Sequence, residues 1–136
     1  MKPIKKIVKA EEILAIADDK NKIINFIFTF IKCEIYCKNI LNKYLKEIGE
    51  YISDEDTTLD LSIIKEALSD NGYFFEDARL LTRIFGKKSS SDAKFSCRYL
   101  RNKIIHELNT NTINYVLINY DDLIGDMNTF INILNV

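Results

Sequence analysis

The side chains best suited to chemistry in this sequence lie close together near position 100. His106 is the only histidine of the chain, and an imidazole can take up or release a proton near neutral pH. Arg101 offers a planar, permanently charged guanidinium that can stabilise phosphate oxygens. If the segment is helical, Asn102 lies one turn before His106, where it can orient the imidazole or bind a phosphate oxygen. This set is sufficient in principle for RNA cleavage, because the 2'-hydroxyl of RNA is an internal nucleophile.

The charge distribution favours an anion-binding site in the same region. The formal net charge is only -1, yet residues 78–103 contain all four arginines and four lysines against Asp92 alone. Clustered basic residues attract phosphate even when the whole chain is close to neutral. If this segment cuts RNA, Arg98, Lys103 and Tyr99 would bind the RNA beside Arg101, Asn102 and His106; the alternative is a lone surface histidine beside arginines that favour the helix.

Residues 101–106, with the sequence RNKIIH, resemble the signature of the HEPN superfamily, in which an arginine and a polar residue precede a histidine. The resemblance implies a helical bundle that dimerises and brings two motifs together across a cleft. It also implies a metal-independent endoribonuclease of a toxin-antitoxin, abortive-infection or CRISPR defence system. Arg101 and His106 would then carry catalysis on single-stranded RNA, with Asn102 in support and a cognate antitoxin protein as a possible partner.

Two features leave other functions open. HEPN toxins paired with a minimal nucleotidyltransferase often have a tyrosine two residues after the histidine, where this chain has Leu108, so regulation by adenylylation is not implied here. HEPN-like relatives also include helical proteins that resemble the mannitol-operon repressor family and are not established as nucleases. The alternatives are therefore a non-catalytic regulator of that kind and a helical dimerisation module without RNA contact.

The helix that carries the motif is predicted to be buried on two sides. An apolar stripe faces the core and comprises Ala93, Cys97, Leu100, Ile104 and Leu108, which recur at helical spacing. Phe95, Tyr99 and Ile105 lie away from that stripe, among the polar residues. We expect these three to be buried in a homodimer interface, because aromatic residues and arginine are enriched at such surfaces. The alternative is that Phe95 and Tyr99 pack under a neighbouring helix of the same chain.

No metal or other cofactor is expected. The three cysteines cannot all pair with one another, and a cytoplasmic environment would keep them reduced. Cys33 and Cys37 are one helical turn apart, so a metal site that includes Cys97 or His106 is the alternative. We favour a structural role, because buried thiols are common in protein cores.

Length and composition predict one domain, residues 1–136, with an all-α fold: a bundle of about five or six helices. Hydrophobic residues make up 47% of the chain, with one proline and four glycines, which favours long helices over turn-rich sheets. The amino-terminal residues do not read as a signal peptide. The longest apolar run, residues 23–31, is too short to span a bilayer. We therefore expect a cytoplasmic protein.

The apolar periodicity divides the chain into predicted elements. Two helices lie between residues 9 and 52, with a break near Asp18 and Asp19, and the second is a long central helix. A loop covers residues 53–58, and Thr58 is predicted to cap a short helix that ends at Asn71 and Gly72. Further helices are predicted at 74–85, from the serine-rich linker and Asp92 to Leu108, and at 121–134. Residues 113–120 fit either an extended segment or a helix, and we favour extended or irregular structure.

Overall fold

The computed structural model describes residues 17–51, 59–88 and 95–135. Within these ranges the chain forms six helices and no strand, so the predicted all-helical bundle is confirmed. The helices are α1 (Ala17–Glu47), α2 (Leu61–Asp70), α3 (Leu80–Phe85), α4 (Cys97–Glu107), α5 (Thr110–Ile118) and α6 (Tyr120–Leu134).

Helix α1 is the central element of the bundle and contacts α2, α4, α5 and α6. Its buried residues recur at three and four positions and are Ile23, Phe26, Phe30, Cys33, Cys37 and Leu41, as helical periodicity requires. The ring of Phe85 lies between those of Phe30 and Phe130, with centroid distances of 6.0 Å and 5.3 Å. The predicted long central helix is therefore correct. The earlier helix predicted from residue 9 lies outside the described residues, and α1 already contains Asp18 and Asp19 in its first turn.

Helix α2 begins later than predicted. Its N-cap is Asp60, whose Oδ1 accepts hydrogen bonds from the backbone N–H groups of Ser62 at 3.0 Å and Ile63 at 3.4 Å. Thr58 lies outside the described residues, and a carboxylate closer to the helix satisfies the free N–H groups instead. The predicted end is correct: Asn71 is the C-cap, and Gly72 has a φ of +81°, which favours glycine.

The predicted helix at 74–85 is wrong over its first half, because only Leu80–Phe85 is helical. The side chain of Asp77 accepts a hydrogen bond from the backbone N–H of Arg79 at 3.0 Å, a local turn that competes with helix formation. Phe75, in the non-helical part, stacks on Phe130 with ring centroids 6.1 Å apart. The predicted end at Gly86 is correct.

Helix α4 also starts later than its apolar pattern suggested. Ser96 caps the helix, because its Oγ accepts a hydrogen bond from the backbone N–H of Tyr99 at 3.1 Å. The Ser96 hydroxyl also donates a hydrogen bond to the Gly86 carbonyl at 2.7 Å. The linker serines, Asp92 and Ala93 lie outside the described residues. Cys97, Leu100 and Ile104 are buried as predicted, but Leu108 is not part of the core stripe. It is the C-cap, with a φ of +44° and an exposed side chain.

The prediction of an extended segment at 113–120 is wrong. Asn109 caps α5 by accepting a hydrogen bond from the backbone N–H of Thr112 at 3.1 Å, and Ile113 and Val116 are buried one turn apart. β-branched residues disfavour a helix only weakly, and burial of one helical face overrides that preference. The predicted last helix is confirmed as α6. In the described ranges, no helix is both long enough and apolar enough to cross a membrane.

Candidate functional site

Helix α4 carries the RNKIIH segment on a firmly packed support. Cys97, Leu100 and Ile104 bury one side of the helix, which contacts α1, α3 and α5. Because these three residues fix the rotation of α4, Asn102 and His106 lie on its outer side. The side chain of Asn102 is half-buried, and that of His106 is exposed.

Arg101 is held at the edge of the core by residues of two helices. Its Nη2 forms an ion pair with Oε2 of Glu34 in α1 at 3.1 Å, and its Nε donates to Oδ1 of Asn102 at 2.9 Å. The guanidinium carbon lies 4.6 Å from the centre of the Phe30 ring, within the range of a cation–π contact. The Arg101 side chain is only 16% exposed, so its position is defined by packing and by hydrogen bonds.

His106 stands apart from Arg101 within one chain. The imidazole of His106 forms no hydrogen bond among the described residues, and the side chain is exposed. Residues five apart in a helix are separated by about 140° around its axis, so the two side chains leave α4 in different directions. The structure therefore joins Arg101 to Asn102, and it leaves His106 free to meet a substrate or a second chain.

The three predicted RNA-binding residues have different surroundings. Arg98 donates from Nη1 to the Leu59 backbone carbonyl at 2.6 Å, a contact that fastens the start of α2 to α4. The Lys103 ammonium pairs with Glu107 at 3.1 Å and lies 5.7 Å from the centre of the Tyr99 ring. The hydrogen bond and the charge of Glu107 raise the pKa of Lys103. Lys103 and Tyr99 therefore share the outer surface of α4, whereas Arg98 serves an internal contact.

Of the three residues predicted for the dimer interface, two pack within the chain and one is exposed. Phe95 stacks on Tyr99 and meets the edge of Tyr115, both with ring centroids 5.1 Å apart. Phe95 thus packs against Tyr99 and against α5 of the same chain, which was the alternative arrangement. Ile105 remains 52% exposed and is available to a partner.

A second exposed apolar surface, on α1, was not singled out from the sequence. Ile24, Phe28 and Ile35 are 40%, 65% and 55% exposed, and with the half-buried Ile31 they are spaced by four, three and four residues. We call these four residues the α1 stripe. It lies on the side of α1 opposite to the core and runs beside Glu34, which is one turn from Ile31. The signal was present in the sequence, since these residues are out of phase with Phe26 and Phe30.

The arginine-rich segment gives less free positive charge than its composition suggested. Arg83 donates from Nε and Nη2 to both carboxylate oxygens of Asp126 at 2.9 Å and 3.0 Å, and from Nη2 to Asp77 at 2.6 Å. These bonds raise the pKa of Arg83. Arg83 and Asp126 line a cavity of about 250 Å³. Because two carboxylates neutralise it, Arg83 is not placed to bind an anion.

The cysteines are core residues. All three are free and buried, and the thiol of Cys33 donates to the Met127 carbonyl at 3.7 Å. Burial raises the pKa of Cys33 and of Cys37 to about 12, and that of Cys97 is raised for the same reason. Metal ligation requires the thiolate, which these environments disfavour. In the part of the chain that the structure describes, no group of three or more potential ligand residues is arranged to hold a metal ion.

Comparisons with family models, with curated proteins and with solved structures found no match to this chain.

Proposed function

We propose that this chain is a metal-independent endoribonuclease of the HEPN type, which cuts single-stranded RNA as a homodimer in a toxin or phage-defence system. One observation carries the proposal: the exposed imidazole of His106 lies one helical turn from Asn102, whose side chain is bonded to the guanidinium of Arg101. The imidazole can transfer a proton, and Asn102 connects its face of α4 to an arginine whose guanidinium suits phosphate oxygens. If the protein is a toxin, a cognate antitoxin would bind the surface of α4 that carries Asn102 and His106.

The chemical step uses groups that the chain and the RNA supply themselves. Neutral His106 takes the proton of a 2'-hydroxyl, and the 2'-oxygen attacks the adjacent phosphorus. The bond from phosphorus to the 5'-oxygen breaks, and that oxygen takes a proton from the second imidazole of the dimer or from water. The products are a 2',3'-cyclic phosphate end and a free 5'-hydroxyl. Arg101 and Asn102 donate hydrogen bonds to the phosphate oxygens as their charge increases.

The geometry of the motif supports the proposed homodimer. Arg101 and His106 diverge around α4 within one chain, so a composite site needs the motif of a second copy opposite the first. Two exposed apolar surfaces support such an interface: Ile105 on α4 and the α1 stripe. The stripe has a palindromic spacing, so an antiparallel second copy would place Ile24 opposite Ile35 and Phe28 opposite Ile31. An isologous interface requires self-complementarity of this kind.

The proposal is tested by expressing the wild-type protein and His106→Ala side by side. We expect the wild type to arrest growth and, once purified, to cut single-stranded RNA with EDTA present. His106→Ala should do neither and should still bind RNA, because the imidazole transfers protons and contributes little to ground-state binding. Lys65→Ala, an exposed change on α2, is the control and should behave as the wild type.

A second candidate function is favoured by the Glu34 contact. A guanidinium that is paired with a carboxylate and 16% exposed is compatible with a purely structural arginine, as expected of a non-catalytic regulator resembling the mannitol repressor family or of a helical dimerisation module. In that case neither wild type nor His106→Ala would cut RNA or slow growth. Arg101→Ala would then act through stability alone.

A further inference from the structure

The contacts of Arg101 use only part of its hydrogen-bonding capacity. Nη2 is bound to Glu34 and Nε to Asn102, whereas Nη1 has no partner among the described residues. In those residues, the only buried side-chain nitrogen or oxygen atom without a partner is Thr110 Oγ1. Nη1 therefore reaches solvent, and its two N–H groups remain available as donors.

Glu34 determines where those free donors point. Phe30 supports the guanidinium plane from one side at 4.6 Å, Asn102 fixes Nε, and Glu34 fixes Nη2. Without Glu34 the side chain could rotate about its terminal bonds and change the direction in which Nη1 points. Glu34 also compensates the charge of Arg101, so the pair offers directed hydrogen bonds with little net charge.

We propose that Glu34 is a positioning residue of the RNA-cleavage site, which holds Arg101 so that Nη1 donates to a phosphate oxygen of the RNA. This inference rests on the proposed endoribonuclease function and adds to it a residue far from the motif in sequence. Because the ion pair is nearly neutral, Glu34 acts mainly on the turnover rate and only slightly on RNA affinity.

Two conservative variants separate positioning from charge. Glu34→Gln keeps the length of the side chain and an acceptor oxygen but removes the charge, whereas Glu34→Asp keeps the charge and shortens the reach by one methylene. We expect Glu34→Gln to retain kcat within about threefold and Glu34→Asp to lose at least about tenfold, because a displacement near 1 Å can cost up to about a hundredfold. The affinity for an uncleavable 2'-O-methyl oligonucleotide should stay within about threefold of wild type for both.

The matched controls are Glu47→Gln and Glu47→Asp, which make the same changes at an exposed position of the same helix and should leave kcat unaltered. Equal kcat for wild type and Glu34→Asp would overturn the proposal, as would a larger loss in Glu34→Gln than in Glu34→Asp. A loss of affinity that parallels the loss of kcat in Glu34→Asp would also overturn it, since positioning for catalysis should separate the two.

A readout that does not depend on cleavage distinguishes this proposal from the proposed function. If the wild type cuts no RNA, the endoribonuclease function fails. The NMR signal of the Arg101 Nε–H group then tests whether Glu34 holds the guanidinium of Arg101 in place. We expect that signal to be sharp in wild type and Glu34→Gln, broadened in Glu34→Asp, and shifted when the 2'-O-methyl oligonucleotide is added to the wild type. An unshifted wild-type signal, or one that is equally sharp in all three proteins, would refute the role of Glu34.

Discussion

Three of the four arginines show how differently one residue type is used within a short stretch of chain. Arg83 is bound by Asp126 and Asp77, Arg98 by a backbone carbonyl, and Arg101 by Glu34. From composition alone, the arginines were predicted to form one basic segment that attracts RNA. The partners lie elsewhere in the sequence, such as Glu34 on α1, so no local pattern identifies them. The residue type predicts what a side chain can bind, and the fold decides what it does bind.

Replacing Arg98 should therefore mainly lower stability, whereas replacing Lys103 should mainly weaken RNA binding. Arg98→Ala removes the donor to the buried Leu59 segment and should lower the free energy of unfolding by about 1–2 kcal/mol, with little change in RNA affinity. Lys103→Ala removes a half-buried side chain whose ammonium is paired with Glu107 on the same helix, so it should leave stability within about 0.5 kcal/mol, while it weakens RNA binding most at low salt. Urea denaturation and binding titrations at two salt concentrations measure both. A large, salt-dependent loss of affinity in Arg98→Ala would show that Arg98 does contact RNA.

At the scale of helices, long periodic stretches were predictable, whereas the starts of α2, α3 and α4 were not. The sequence correctly indicated α1 and α6, because their apolar residues repeat over several turns. The start of α3 was wrong because a turn at Asp77 precedes it, and α5 was missed because its short pattern fitted both an extended segment and a helix. Of the candidate site, the α4 residues could be predicted from their types and spacing. The contribution of Glu34 could not, since it depends on how α1 packs against α4.

The Asp60 cap gives helix α2 a dependence on pH. Hydrogen bonds from the Ser62 hydroxyl and the Ile63 backbone N–H lower the pKa of Asp60. Because its pKa is lower in the folded protein, the cap stabilises fully above the unfolded value of about 3.9 and loses that effect as pH falls through the folded value. Asp60→Asn, also a good N-cap, should therefore show a shallower decline of Tm below about pH 4. Parallel curves for the two proteins would contradict this role.

At the scale of the whole molecule, the least expected feature is the apolar surface on the outer side of the central helix. The α1 stripe lies next to the Arg101–Glu34 pair, so a partner bound there would also approach the candidate site. Phe95 and Tyr99, which the sequence suggested for the interface, pack instead within the chain. This shifts the proposed dimer interface from the aromatic residues of α4 to Ile105 and the α1 stripe.

The interface is tested by Phe28→Glu, with Phe74→Glu as its control. Both phenylalanines are exposed, Phe28 on the stripe and Phe74 at 79% exposure in the segment before α3. We expect wild type and Phe74→Glu to have the mass of a dimer at micromolar concentration in light scattering, and Phe28→Glu that of a monomer, because a buried carboxylate without a partner disrupts an apolar contact. A monomeric wild type would remove the dimer and with it the composite site.

The measurement that bears most directly on the central claim is the chemistry of the RNA ends produced by purified protein in the presence of EDTA. A single-stranded RNA with a labelled 5' end should be cut by the wild type to fragments that carry a 2',3'-cyclic phosphate, and His106→Ala should leave it intact, because His106 moves the proton of the 2'-hydroxyl. Uncut RNA with the wild type, cleavage that survives in His106→Ala, or fragments with a 3'-hydroxyl would each contradict an endoribonuclease that works through His106.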